Sequence, residues 1–223
     1  LKLPCFVTFT GPDDDTDIDR LIGFKRKYSV EFGILFSANQ QNNGRYPSLD
    51  FIERLHDRGL ALSAHICGRY AREIAESGEC EDLRKTPFSL DRMWQRVQVN
   101  LPRDAKVSND NIRKFAHSVG AVPILQTRGN FPKNEDVNWL YDPSGGTGRD
   151  THSWPDSSEN RAFCGYAGGI GPQNVEQVIT ALQPLVRSQN YWIDMETKVR
   201  TNDKFDLDKV EYVLETVYPG GIF

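Results

Sequence analysis

Residues 139–148 read Trp139-Leu140-Tyr141-Asp142-Pro143-Ser144-Gly145-Gly146-Thr147-Gly148. A short apolar run stops at a lone aspartate and passes at once into a glycine-rich loop. A run this short, bounded by turn residues, suits a buried parallel strand better than a helix. Asp142 then stands at the carboxyl end of that strand, where parallel α/β architectures bind ligands and carry their chemistry. The glycines let the backbone approach a ligand closely and turn amides toward an anion. The plainer alternative is an aspartate that caps a tight turn.

Working outward, seven further runs read as strands: Leu3–Thr10, Val30–Phe36, Leu60–Ile66, Gln95–Leu101, Ala121–Thr127, Ala162–Tyr166 and Tyr191–Met195. The central one spans Val137–Tyr141. Between them lie segments with helical spacing. Thr16–Tyr28 carries acids early and bases late, as the helix dipole favours. Ser48 suits the N-cap of a helix ending at Leu55, with Arg58-Gly59 closing it. Further helices are expected over Arg69–Glu76, Leu90–Trp94, Asn109–Val119 and Phe205–Tyr218, and one opens at Gly171-Pro172-Gln173-Asn174. Gly78–Pro87 reads as irregular, and Asn130–Asp136 is too short for a helix and contains Pro132. Eight strands, most followed by a helix, predict a single (β/α)8 TIM barrel, with residues 1–223 as one domain. A doubly wound open sheet is the alternative, and it needs fewer strands.

Composition sets the outer limits. The chain has 223 residues, 38% hydrophobic and 26% charged, with a net charge of -4. That acidic balance gives no basic footprint for nucleic acid, and Lys25-Arg26-Lys27 reads as the solvated side of a helix. No apolar run approaches ~20 residues, so no membrane span is expected, and no secretory signal is read within these residues. Cys5, Cys67, Cys80 and Cys164 are widely spaced, which suits reduced thiols in the cytoplasm. His56, His117 and His152 have no partner at metal spacing, so no metal site is expected.

Several motifs, taken in order, resemble the phosphoribosylanthranilate isomerase family of tryptophan biosynthesis. Gly33-Ile34-Leu35-Phe36, a polar loop and then Arg45-Tyr46-Pro47-Ser48 resembles its second strand and loop. Leu140-Tyr141-Asp142 with Gly145-Gly146-Thr147-Gly148 resembles its sixth unit. Tyr166-Ala167-Gly168-Gly169 through Asn174 resembles its seventh strand and phosphate loop, and Ile193-Asp194 its eighth strand. The resemblance implies a cofactor-independent Amadori rearrangement of a phosphorylated sugar derivative, a small-molecule partner only, and a monomer or homodimer. It implies Asp142 as general acid and Arg45 as the fork that pairs with a substrate carboxylate. Gly168, Gly169 and Gln173 are implied to hold phosphate at a helix N-terminus, and Gly146, in the loop after the sixth strand, to contact substrate. Independently of the resemblance, Asn100, Gln126, Arg128 and Asp194 are polar residues at strand ends, placed to line the pocket.

Two positions depart from the family. Where it carries a cysteine after strand one, this chain has Thr10, whose unassisted hydroxyl is too weak an acid to serve as a base. Cys5 sits at the other end of that strand, about 16 Å away at the usual rise. Cys67 is the candidate replacement, since His65 shares its face and a nearby imidazolium would lower the thiol pKa. An inert buried thiol is the plainer reading. Where the eighth-strand loop is glycine-bearing, this chain reads Glu196-Thr197-Lys198, and Glu196 is expected to turn away or pair with Lys198 or Arg200. The expectation is therefore either an isomerase-like enzyme or a barrel that keeps the fold and serves as a binding or structural protein. A Schiff-base aldolase would need a lysine at a strand end, and a metal epimerase several His and Asp ligands; neither set is read here.

Overall fold

Eight parallel strands close on one another in chain order. They are β1 (Val7–Thr10), β2 (Val30–Ser37), β3 (Leu62–Cys67), β4 (Arg96–Val99), β5 (Val122–Thr127), β6 (Asn138–Tyr141), β7 (Cys164–Tyr166) and β8 (Tyr191–Met195). Closure is made by β1 against β8, with Val7 opposite Ile193 and Thr8 opposite Asp194. The computed structural model describes residues 1–102, 105, 107–145, 147–151 and 153–221. The architecture is a (β/α)8 TIM barrel, and no described helix is long and apolar enough to cross a membrane.

Strand residues alternate between two environments, because successive side chains leave a strand on opposite faces. Outward positions such as Phe9, Phe32, Ile34, Ala64, Val97 and Ile193 pack beneath the helices in one continuous core. Inward positions divide the barrel lumen. Ile124, Leu140, Ala167 and Trp192 form a small apolar plug, with Phe6 and Phe163 against it. Thr8, Glu31, Ser63, His65, Arg96 and Gln98 are buried polar residues on β1 to β4. Glu31 and Arg96 meet as a two-pronged ion pair, Nε to Oε2 at 2.8 Å and Nη2 to Oε1 at 2.6 Å. The Arg96 guanidinium also lies over the Trp192 ring at 4.3 Å.

The helices are α1 (Ile18–Lys27), α2 (Leu49–Leu55), α3 (Gly68–Ser77), α4 (Glu81–Arg84), α5 (Asn109–His117), α6 (Val175–Val186) and α7 (Leu207–Val217). Local chemistry sets their starts. Asp17, Ser48 and Asp206 each accept hydrogen bonds from amides of the first turn, which satisfies donors that a helix N-terminus otherwise leaves unpaired. Two sequence expectations are corrected. The first strand begins at Val7, not Leu3; Pro4 has no amide to give a ladder, and Leu3 is exposed. Leu90–Trp94 is not helical. Arg92 sits at a φ of 53°, and Trp94 turns back to stack on Phe88 and donate to its carbonyl at 2.8 Å. The helix lies earlier, as α4, inside the segment expected to be irregular. There Asp82 is held by Arg69 at 2.9 Å, and a 3-10 turn over Pro87–Ser89 follows.

As the sequence suggests, no helix joins β5 to β6, and among the described residues none joins β6 to β7 either. Loop aromatics cover those strands instead. Phe131 stands edge-on to Tyr166 at 5.3 Å, and Trp154 contacts both Tyr141 and Tyr166 at 5.9 Å. After β8 comes a short antiparallel hairpin, β9 (Arg200–Thr201) with β10 (Lys204–Phe205), which the sequence reading did not include.

Candidate active site

The carboxyl ends of the strands surround a cavity of about 420 Å³. Thr10, Arg45, His65, Cys67, Gln98, Gln126, Arg128, Asp142, Gly168, Gly169, Asp194 and Glu196 all line it. Residues from the loops after β2, β6 and β8 thus meet those at the strand ends, as in barrels whose sites sit on this face. Of the residues expected at the site, Gln173 lies apart, exposed at the opening of α6 and lining a shallow groove with Tyr212. Gly146 lies outside the described residues.

Asp142 does two things. Its Oδ1 accepts from the Ser144 amide at 3.0 Å, the Ser144 hydroxyl at 2.8 Å and the Gly145 amide at 3.1 Å, which fixes the turn after β6. Its Oδ2 accepts from Gln126 at 3.2 Å. The plainer reading, a turn cap, therefore describes one oxygen. The other is held by a neighbour on β5.

Asp194 is buried as well, and Thr10 donates to its Oδ1 at 2.9 Å. Burial drives its pKa well above the ordinary aspartate value, against the pull of the Thr10 hydrogen bond and with help from the Glu196 charge. Desolvation penalises the charged form of any carboxyl, so Asp194 is favoured as a neutral acid. Thr10 thus positions a proton donor.

Cys67 and His65 share the lumen face, but they do not form an activated pair. Burial, with the Arg96 charge adding to it, lowers the His65 pKa to about 3. The imidazole is neutral and offers the thiol no positive charge. Burial pushes the Cys67 thiol up to about 11; hydrogen bonds from Asn100 and Tyr46 only partly offset this, and Glu196 raises it further. Cys67 is held as a thiol, and the expectation that His65 activates it is corrected on that physical ground.

The partner of Glu196 is also corrected. It pairs with Arg45 at 2.7 Å, not with Lys198 or Arg200. The other prong of Arg45 reaches Asp203 at 2.9 Å. Lys198 pairs with Asp150 at 3.2 Å, and Arg200, a buried residue of the hairpin itself, pairs with Asp13 at 2.7 Å. The guanidinium expected to meet a substrate carboxylate already holds two carboxylates of its own chain.

The sequence reading missed Gln98, although its parity with Arg96 and Asn100 along β4 marks it as inward. Its Nε2 faces His65 Nδ1 at 3.4 Å and donates to Asn100 at 2.8 Å. That leaves Gln98 Oε1 and His65 Nε2 buried without a partner. Reversing the amide and the imidazole tautomer together exchanges the roles but still leaves one donor and one acceptor. A hydroxyl group, which both donates and accepts, matches such a pair.

Comparison with solved structures places this barrel. The phosphoribosylanthranilate isomerase of Pyrococcus furiosus superposes with a TM-score of 0.62 at 18% identity, covering 95% of this chain and 98% of that one. The chain has that fold. The enzyme from Thermotoga maritima gives 0.60 at 15%, over 97% and 98% of the two chains, and that from Thermus thermophilus 0.59 at 13%, over 93% and 96%. No family model matches the sequence, and no curated protein matches it. Identities this low establish a shared barrel fold alone, while activity is a matter for the site itself.

Proposed function

We propose that the cavity binds a phosphorylated sugar derivative and interconverts its aldose and ketose forms by an Amadori-type rearrangement. The observation that carries this reading is the meeting in one cavity of Asp194, buried and hydrogen-bonded by Thr10, with Asp142, an acceptor at both oxygens. A carboxyl held as a proton donor beside one whose oxygens accept hydrogen bonds can serve as an acid and a base. Asp194 protonates the furanose ring oxygen, and the ring C–O bond breaks to give an open-chain iminium. Asp142 takes the proton from carbon 2, and the electrons of that C–H bond neutralise the iminium to an enol amine. Tautomerisation then yields the ketose. This assignment gives Asp142 the base role, not the acid role that the resemblance implies, and needs nothing from Cys67. The unpaired donor and acceptor of His65 and Gln98 suit a ligand hydroxyl.

A second reading, a barrel that binds without reacting, is favoured by Arg45, whose fork is held by Glu196 and Asp203. One experiment separates the two. The protein is incubated in D2O with ribose 5-phosphate, and separately with phosphoribosylanthranilate, following deuterium at carbon 2 by NMR and loss of anthranilate fluorescence. Exchange or turnover reduced at least about a hundredfold in both Asp142→Asn and Asp194→Asn is expected, since acid–base groups contribute on that order. Absence of exchange and turnover in the wild type would remove the isomerase and leave the binding protein.

A further inference from the structure

The cations at the mouth are not equivalent. Arg45 is spent on Glu196 and Asp203, and Lys198 on Asp150. The glycine loop after β7 lines the cavity and is packed on another side by the protein's own chain. A side chain at Gly169 would come within 2.6 Å of the Arg149 carbonyl, and one at Gly168 within 2.7 Å of the Thr151 hydroxyl. The missing side chains there admit the protein's own loop after β6. The Gly171 amide donates to Asn174 at 2.9 Å. The Glu196 carboxylate adds a negative charge on the same side, and like charges at short range oppose an anion. Where barrels commonly bind phosphate, after strands seven and eight, this chain has packed its own loop against the glycines and placed an acid at the cavity wall.

Arg128 differs. It stands at the end of β5, half-buried, and lines the cavity beside Asn100, Gly145 and Thr147. Among the described residues it makes no ion pair; its one hydrogen bond runs from Nη2 to the Leu101 carbonyl at 3.4 Å. A guanidinium carries five N–H donors in a rigid fork, so most of this one faces the cavity unspent. A fork of that kind matches two oxygens of a phosphate.

We propose that Arg128, on the β5 side of the mouth, holds the phosphate of the ligand in place of the loops after β7 and β8. The proposal rests on the sugar-phosphate reading above and fixes which end of the ligand points where. The phosphate lies toward β5, and the remainder reaches inward to Asp142, Asp194 and the unpaired atoms of His65 and Gln98.

The test is calorimetric titration with ribose 5-phosphate and with inorganic phosphate, using the wild type, Arg128→Gln, Arg128→Lys and Lys198→Gln. Binding of both anions to the wild type is expected, weakened about tenfold or more by Arg128→Gln, since a charge-assisted fork is lost. Arg128→Lys recovers part of the loss by restoring the charge, and Lys198→Gln stays within about twofold of the wild type. A tenfold loss in Lys198→Gln with Arg128→Gln unchanged returns the phosphate to the β8 side and overturns the proposal. So does a wild type that binds neither anion, which also removes the sugar-phosphate reading. Phosphate binding lost in Arg128→Gln without isotope exchange at carbon 2 leaves the subsite standing and removes only the reaction. Exchange that survives Arg128→Gln undiminished does the reverse.

Discussion

Thr10 shows how much a single position depends on its neighbour across the sheet. Read alone it is a lost cysteine; in place it donates to Asp194, a residue 184 positions away. Glu196 repeats the lesson, since its true partner Arg45 is 151 residues distant while the nearby Lys198 and Arg200 are engaged elsewhere. Parity along a strand made inward residues such as His65 and Cys67 legible, because it is local. The choice of ionic partner is set by three-dimensional closure and was not. The buried Glu31–Arg96 pair gives a prediction at this scale. Glu31→Ala strands a guanidinium whose Nη1 already lacks a partner, and should cost about 3–5 kcal/mol in urea unfolding. Glu31→Leu combined with Arg96→Met should cost much less, because no charge is left stranded in the lumen. A double variant as unstable as Glu31→Ala alone would refute that account.

Among the elements, a strand such as β6 was legible as a short, nearly unbroken apolar run, and β4 as an alternation of polar and apolar residues bounded by turns. Helix starts were legible where a capping side chain is present, as at Ser48. Asp206 caps α7 through the amides of Asp208 and Lys209, and Asp206→Ala should lower stability by about 1 kcal/mol. Asp206→Asn should recover most of it, a contrast that thermal unfolding of the two variants can read. The expected helix over Leu90–Trp94 failed for a tertiary reason. Trp94 gains more from stacking on Phe88 and edge-on contact with Phe36 than a short helix would return, and isolated short helices are marginal. The aromatic cover over β5 to β7 was hidden for the same reason, since Phe131 and Trp154 lie in loops without periodicity.

For the molecule as a whole, the buried titratable groups set opposing pH dependences. Asp194 has a raised pKa in the folded state. As pH rises above the unfolded carboxyl value of about 3.9, the unfolded chain loses its proton first, so stability falls until the folded value is passed. His65 has a depressed pKa of about 3. Its contribution is intact above about 6.5 and is lost as pH falls toward 3, at about 1.4 kcal/mol per pH unit. Where the windows overlap the two slopes oppose each other. In urea midpoints measured from pH 4 to 8, Asp194→Asn should therefore weaken more steeply on acidification than the wild type, and His65→Leu should weaken more on alkalinisation. Variant profiles that merely run parallel to the wild type would contradict this.

The seam between β1 and β8 has a consequence for how the protein is made. The strand that completes the barrel leaves the ribosome 184 residues after Thr10, roughly 10–40 s later at about 5–20 residues per second. The Arg200 clasp, which ties Asp13 and the Gly11 carbonyl to the hairpin beyond β8, follows later still. Throughout synthesis the nascent sheet has an open edge on β1, the kind of edge that invites pairing with other chains. Slower elongation lengthens that interval, and holdase chaperones that cover β1 are the natural means of shortening its hazard.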